Sequence, residues 1–212
     1  MRKMVNFFVS NAQWVVLIGG VITVLGTMLV SIKSKRSSEA NAIEQAKLLS
    51  QSITINNMMT GGDSYPMLVI SDIDPEFGAC LIAVANMGNY PLYLSSMTIR
   101  DGDEIQKAMN DPKNMTPTGL DASKILPFTK DYELKELTAH HAQPVGGFPF
   151  LFRKDCSFSV TFTARNGSFN QQILVHKKVN GWSIAHRIKT FRENKIVFES
   201  IPDDFPKNML KW

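Results

Sequence analysis

The sequence predicts a mostly β protein: an N-terminal single transmembrane helix, a short juxtamembrane helix, and an antiparallel β-sandwich-like domain ending in a four-stranded meander. Three observations predict it. Residues 14–32 carry no charge and are nearly all apolar. Residues 38–58 place apolar side chains at helical spacing. From residue 67 the apolar period falls to two, with Asn-Gly pairs between the later runs. The boundaries that follow are an anchor with basic flanks at 1–36, a helical stalk at 37–60, a β-rich domain at 61–206 and a tail at 207–212.

At 1.5 Å per residue, Trp14 to Ile32 spans about 28 Å, close to the hydrocarbon thickness of a bilayer. Trp14 sits where an interfacial aromatic belongs, and Lys33, Lys35 and Arg36 close the other end. A soluble core helix of this length would carry a polar face. A cleaved signal would have a shorter apolar run ending in small residues, whereas this one ends in Val30-Ser31-Ile32 and lysine. The reading is a retained anchor.

Lys33, Lys35 and Arg36 outnumber Arg2 and Lys3, so the short-loop charge rule puts the C-terminal domain on the cytoplasmic side. Inside the anchor, Gly19, Thr23, Thr27 and Ser31 recur every four residues. Such a stripe of small side chains lets helix backbones approach closely in lipid, and it points to a homo-oligomer or a membrane partner.

The formal charge of +4 belongs to the flanks of the anchor. Residues 1–36 hold five Lys/Arg and no acid, and residues 37–212 hold eighteen bases against nineteen acids. Nucleic-acid binding is therefore not indicated. Residues 151–195 are locally basic, which fits either a solvated sheet face or a surface turned to anionic lipid.

In the stalk, Ala42, Ala46, Leu49 and Ile53 follow the seam of a short coiled coil, and Thr60-Gly61-Gly62-Asp63 ends the helix. Strands follow at 67–70, at 79–85 and at 92–100. The second is apolar on both faces, as a central, twice-covered strand would be. Between 102 and 147 only a helix at 103–109 and a strand at 132–138 are legible. Then Cys156, Phe158, Val160 and Phe162 alternate with Ser157, Ser159, Thr161 and Thr163 as a half-buried strand. Asn166-Gly167 and Asn180-Gly181 read as two-residue turns joining this strand to 169–178 and 182–190, and Ile196 to Glu199 completes the meander.

GGDSY at 61–65, NYPLY at 89–93, RD at 100–101, ARNG at 164–167, VNGW at 179–182 and Phe205-Pro206 together resemble the pattern of a family of bacterial proteins. In that family an anchor or coiled coil precedes one β-rich domain. The resemblance covers most of residues 61–206 and implies a fold. Its motifs are turns and strand starts, so it carries no chemistry.

Gly62-Asp63-Ser64 is similar to the nucleophile block of GDSL-type hydrolases, but a helix precedes it and no Asp-x-x-His follows anywhere. Four histidines invite a metal site. His140 and His141 are adjacent, and a two-residue turn at 180–181 puts His176 and His186 on opposite faces of a sheet. Asp72, Asp74, Asp101, Asp103 and Glu104 offer oxygen ligands at strand ends, without the run of a calcium loop. No cofactor is implied. Phe148, Phe150 and Phe152, beside Gly146-Gly147, are candidates either for a strand entering the core or for a partner-docking edge.

These observations lead to a membrane-anchored, non-enzymatic binding or sensing module. The alternatives are a serine hydrolase using Ser64, or an extracytoplasmic envelope scaffold in which Cys80 and Cys156 are bonded.

Overall fold

No glycine or proline interrupts residues 33–60, so nothing stops the helix that begins in the anchor. The computed structural model describes residues 12–71, 73–74, 76–116, 119–153 and 155–212; Arg2, Lys3 and Asp72 lie outside them. Anchor and stalk are one uninterrupted helix, α1 (Ala12–Thr60). From Ile18 onward α1 is long and apolar enough to cross a membrane, and none of its apolar window is buried by protein. Thr23 and Thr27 donate their hydroxyls to the carbonyls of Gly19 and Val24 in the same helix. The chain divides after Thr54 into two compact units, and the last turn of α1 belongs with the β domain.

The β domain contains a three-stranded antiparallel sheet. It pairs β1 (Pro66–Ser71), β2 (Leu81–Asn86) and β8 (Ala142–Gly147), with β2 in the centre. Only one face of β2 is covered at its start: Ile82 is buried, whereas Leu81 is 52% exposed. This corrects the twice-covered strand, because the outer side of Leu81 stands open among the described residues.

The larger sheet holds β3 (Leu92–Asp101), β6 (Thr129–Glu133), β7 (Glu136–Leu137), β9 (Asp155–Ala164), β10 (Gly167–Lys178), β11 (Gly181–Thr190) and β12 (Ile196–Ser200). β9 to β12 pair in sequence order as an antiparallel meander. β3 adds to the free side of β9, and β6 and β7 both add to β3. A register shift between Leu94 and Ser96 switches the inward residues of β3 from Leu92 and Leu94 to Met97 and Ile99. β4 (Met115–Thr116) and β5 (Gly119–Leu120) form a small separate pair.

The β10–β11 turn is Val179-Asn180, so Lys178 faces Gly181 and Lys177 faces Trp182. The β9–β10 turn is likewise Arg165-Asn166, with Ala164 facing Gly167. Both turns lie one residue earlier than the Asn-Gly pairs suggest. In each pair the glycine alone takes the positive φ (+138° at Gly167, +109° at Gly181) and opens the next strand.

One hydrophobic cluster holds Leu68, Ile82 and Val84 from the small sheet with Phe158, Val160 and Ile173 from the large one. The buried Gln171 amide ties the sheets together. Its Oε1 accepts from Leu68 N at 2.7 Å, and its Nε2 donates to Leu68 O at 3.0 Å. A neighbouring strand would make the same two bonds. A second cluster lies on the outer face of the large sheet, where Phe205, Met209, Leu210 and Trp212 pack over Leu174 and Ala185. Residues 207–212 are therefore part of the packed domain rather than a loose tail.

Candidate functional site

Three of the motifs, GGDSY, NYPLY and ARNG, converge on the end of the β domain that receives α1, whereas RD and VNGW lie at its other end. Gly61 (φ +97°) and Gly62 (φ +51°) turn the chain out of the helix, and a Cβ on Gly62 would lie 2.7 Å from the Tyr90 ring. Arg165 donates to the carbonyl of Met59 at 3.0 Å and stands 4.6 Å from the centre of the Tyr93 ring. The Asn166 amide donates to Gly62 O and Ser64 O. Asn86 donates to Tyr90 O and Leu137 O and accepts from Gly88 N. These bonds form a collar around the last turn of α1.

Ser64 belongs to the collar. It is fully buried, its hydroxyl donates to Tyr90 O at 2.9 Å, and its oxygen accepts from Tyr90 N at 3.0 Å. No histidine or carboxylate bonds it among the described residues. A hydroxyl with both roles taken by backbone and no path to solvent lacks what a nucleophile needs.

The candidate ligand groups are dispersed. His140 pairs with Asn89, His141 with a backbone carbonyl, His176 with Asp155 at 2.6 Å and His186 with Gln171 at 3.2 Å. Asp101 caps α2 (Gly102–Asn110) through Glu104 N and binds Arg153 with both oxygens. Arg153 also bonds Glu104, and Asp103 accepts from the amide and hydroxyl of Ser157. Asp74 accepts from two amides of its own turn. Among the described residues no cluster of three His, Cys, Asp or Glu could hold a metal ion. Cys80 and Cys156 are free and buried, and burial pushes both thiols up to about 11, far from a reactive thiolate.

The opposite end of the β domain is built differently. There the 74–78 turn, the 148–153 loop and the β10–β11 turn meet over a base of aromatic rings. Phe148 and Phe152 are buried, and Phe150 lies parallel to Phe158 at 6.0 Å. Phe148 meets Phe158 edge-on at 4.9 Å, and Phe152 meets Trp182 at 5.7 Å. Of the two readings of Phe148, Phe150 and Phe152, the geometry is that of a segment entering the core: Phe148 and Phe152 are buried in it and Phe150 packs against it partly buried.

Three neighbouring apolar residues stand in the open. Val179 is 99% exposed, Phe77 65% and Leu151 62%. Their backbones are well held: Trp182 Nε1 donates to Asp74 O, Lys177 to Glu76 O, and Phe152 N to Gly78 O. A Cβ on Gly78 (φ +68°) would lie 2.9 Å from Phe152, which fixes the closeness of the first two loops.

Sequence reasoning missed Phe77, Leu151 and Val179. Isolated apolar residues in turns look the same in a sequence whether they dip into a core or stand free. No family model, curated protein or solved structure matches this chain.

Proposed function

We propose that the protein is a single-pass, membrane-anchored interaction module without enzymatic activity. Its β domain, with the two sheets stacked as a sandwich, docks a protein partner through the end remote from α1. The observation that carries this reading is the set of apolar tips, Phe77, Leu151 and Val179, held on well-bonded turns over a closed aromatic base. Exposed apolar groups on a rigid base lose little conformational entropy on binding, which is how interface anchors work. In this reading the domain stands on the cytoplasmic side of a bacterial inner membrane, and the excess of Lys33, Lys35 and Arg36 over Arg2 and Lys3 supports that orientation.

The test places a photo-crosslinking residue singly at positions 77, 151 and 179, and at Thr98 and Lys130 as controls, in the full-length chain in its own membrane. Discrete adducts at the first three positions and none at the controls are expected. Equal labelling everywhere, or none, overturns the proposal. A reporter fused after Trp212 that is active on one side of the membrane checks the orientation.

A further inference from the structure

Three places in the chain put Asp or Asn directly before glycine: Asp101-Gly102, Asn166-Gly167 and Asn180-Gly181. At such a pair the glycine nitrogen, with no Cβ beside it, can reach the side-chain carbonyl carbon of the residue before it. For asparagine the bond that forms is glycine N to Cγ, and the bond that breaks is Cγ to Nδ2. The glycine nitrogen gives up its proton, ammonia leaves, and a succinimide ring remains. Water then opens the ring at either carbonyl, which gives aspartate or isoaspartate.

The three pairs sit in different surroundings. Asp101 is 2% exposed, Arg153 holds both of its oxygens, and the Glu104 amide donates to one of them. A Cβ on Gly102 would lie 2.9 Å from Ser157 Oγ, so the glycine is crowded as well. The two Asn-Gly pairs have matching backbones. Each closes a two-residue turn, with Ala164 facing Gly167 and Lys178 facing Gly181. Both glycines take positive φ, and a Cβ on either would meet nothing within 4 Å. What separates them is the asparagine side chain. Asn166 Nδ2, the leaving group, donates to Gly62 O at 3.2 Å and to Ser64 O at 2.7 Å, and its Oδ1 is buried. Negative charge builds on Oδ1 as the glycine nitrogen adds, and a buried oxygen carries that charge at high cost. Asn180 is exposed, and among the described residues no group bonds its amide, so water can solvate the same charge there.

We infer that Asn180 is a site of spontaneous deamidation in the folded protein, while the collar protects Asn166 and Arg153 protects Asp101. Water is the only co-reactant. The reaction replaces a neutral amide with a carboxylate directly beside Val179. Where the ring opens to isoaspartate, the main chain runs through the side-chain carbon and the turn is lengthened. Val179 is 99% exposed, so neither product disturbs the core. Both products put a charge on an apolar tip, and a charge that must shed its water on docking weakens an apolar contact. The converted fraction grows with the age of the molecule, so docking weakens as the protein ages. That consequence rests on the docking function proposed above; the modification itself does not.

The test incubates the full-length chain in detergent at mildly alkaline pH, digests it with pepsin in acid, and follows the peptides that carry each pair by mass spectrometry. In the folded chain the mass gain of amide-to-acid conversion is expected several-fold faster at Asn180 than at Asn166, with the aspartate and isoaspartate forms separated by chromatography. In urea the two rates should converge, because the bonds that hold Asn166 are gone. Equal rates in the folded chain overturn the assignment. So does a folded chain in which neither asparagine reacts while both react in urea. Asn180→Gln should remove the gain from its peptide. Docking is read separately: adducts from a photo-crosslinker at position 77 should fall as conversion proceeds, and should not fall in Asn180→Gln. Adducts unchanged at full conversion overturn the effect on docking and leave the modification standing. Adducts missing from the fresh chain count against the docking surface alone.

Discussion

The two ends of the β domain are built on opposite principles. Where α1 joins, the side chains of Asn86, Ser64, Arg165 and Asn166 are spent on backbone groups, and glycines allow near-contact packing. At the far end the turns are equally well held, but Phe77, Leu151 and Val179 point away from them into solvent. Polar side chains are used at the first end to fix the chain to itself. At the second, three apolar side chains stand in the open, against Phe191 beside Ser168 at the first. The motifs at the α1 end therefore mark construction in this protein.

The contrast breaks most readily at Gly88. A Cβ there would stand 2.3 Å from Ser64 Oγ and 2.4 Å from Ser64 Cα, so backbone as well as side chain would have to move. Gly88→Ala is expected to cost about 3 kcal/mol or more and to loosen the collar throughout. Thermal denaturation of the full chain in detergent reads the loss. A variant as stable as the parent would mean that this end is no more tightly built than the other.

Acid should act on the body between the ends. His186 is largely buried and its pKa is lowered by desolvation to about 4. Its Nδ1 accepts from Gln171 Nε2, the group that also donates to Leu68 O, so a proton on Nδ1 would set donor against donor at the tie between the sheets. The unfolded chain takes up this proton near pH 6.5, while the folded chain resists it until about pH 4. The stabilising contribution is thus complete above pH 6.5 and is lost as the pH falls towards 4, by at most about 3 kcal/mol. Denaturation midpoints from pH 7 to pH 4 should show this slope, and His186→Gln should flatten it. An equal slope in the variant would assign the acid sensitivity elsewhere.

The meander was legible because β9 buries every second residue and its partners follow in chain order, so local pattern and pairing agree. The turns were read one position late, since the Asn-Gly rule assumes positive φ at both residues and here only glycine has it. The register moved by two, which keeps His176 and His186 on opposite faces as expected. The pairing of β3 with β9, and of β2 with β8, joins segments far apart in the chain, and no local signal announces it. Within the candidate site, Phe148, Phe150 and Phe152 drew attention because they are aromatic, and the same property carried them into the core.

Asn166 offers a smaller effect that sharpens the contrast. Its amide donates to Gly62 O at 3.2 Å and Ser64 O at 2.7 Å, so Asn166→Ala leaves two carbonyls of the collar without that donor. A cost of about 2 kcal/mol is expected. Hydrogen exchange should rise around residues 61–65 and not around 74–78, because the two segments lie at opposite ends of β1. Protection lost equally at both would mean that the ends are one cooperative unit rather than separately built.

The smallest effect on stability should come from the far end, and that is where the effect on binding should be largest. Val179 is 99% exposed in a two-residue turn and Leu151 is 62% exposed, so neither contributes appreciably to the core. Val179→Ser with Leu151→Ser is expected to change stability by less than about 0.5 kcal/mol. The same pair should abolish the adducts formed from a photo-crosslinker at position 77, since apolar groups clustered on one end act together in a contact. Loss of adducts with an unchanged melting curve would separate docking from folding. A melting point that falls with them would mean the tips stabilise the domain itself, and the difference between the two ends would then be one of exposure, not of purpose.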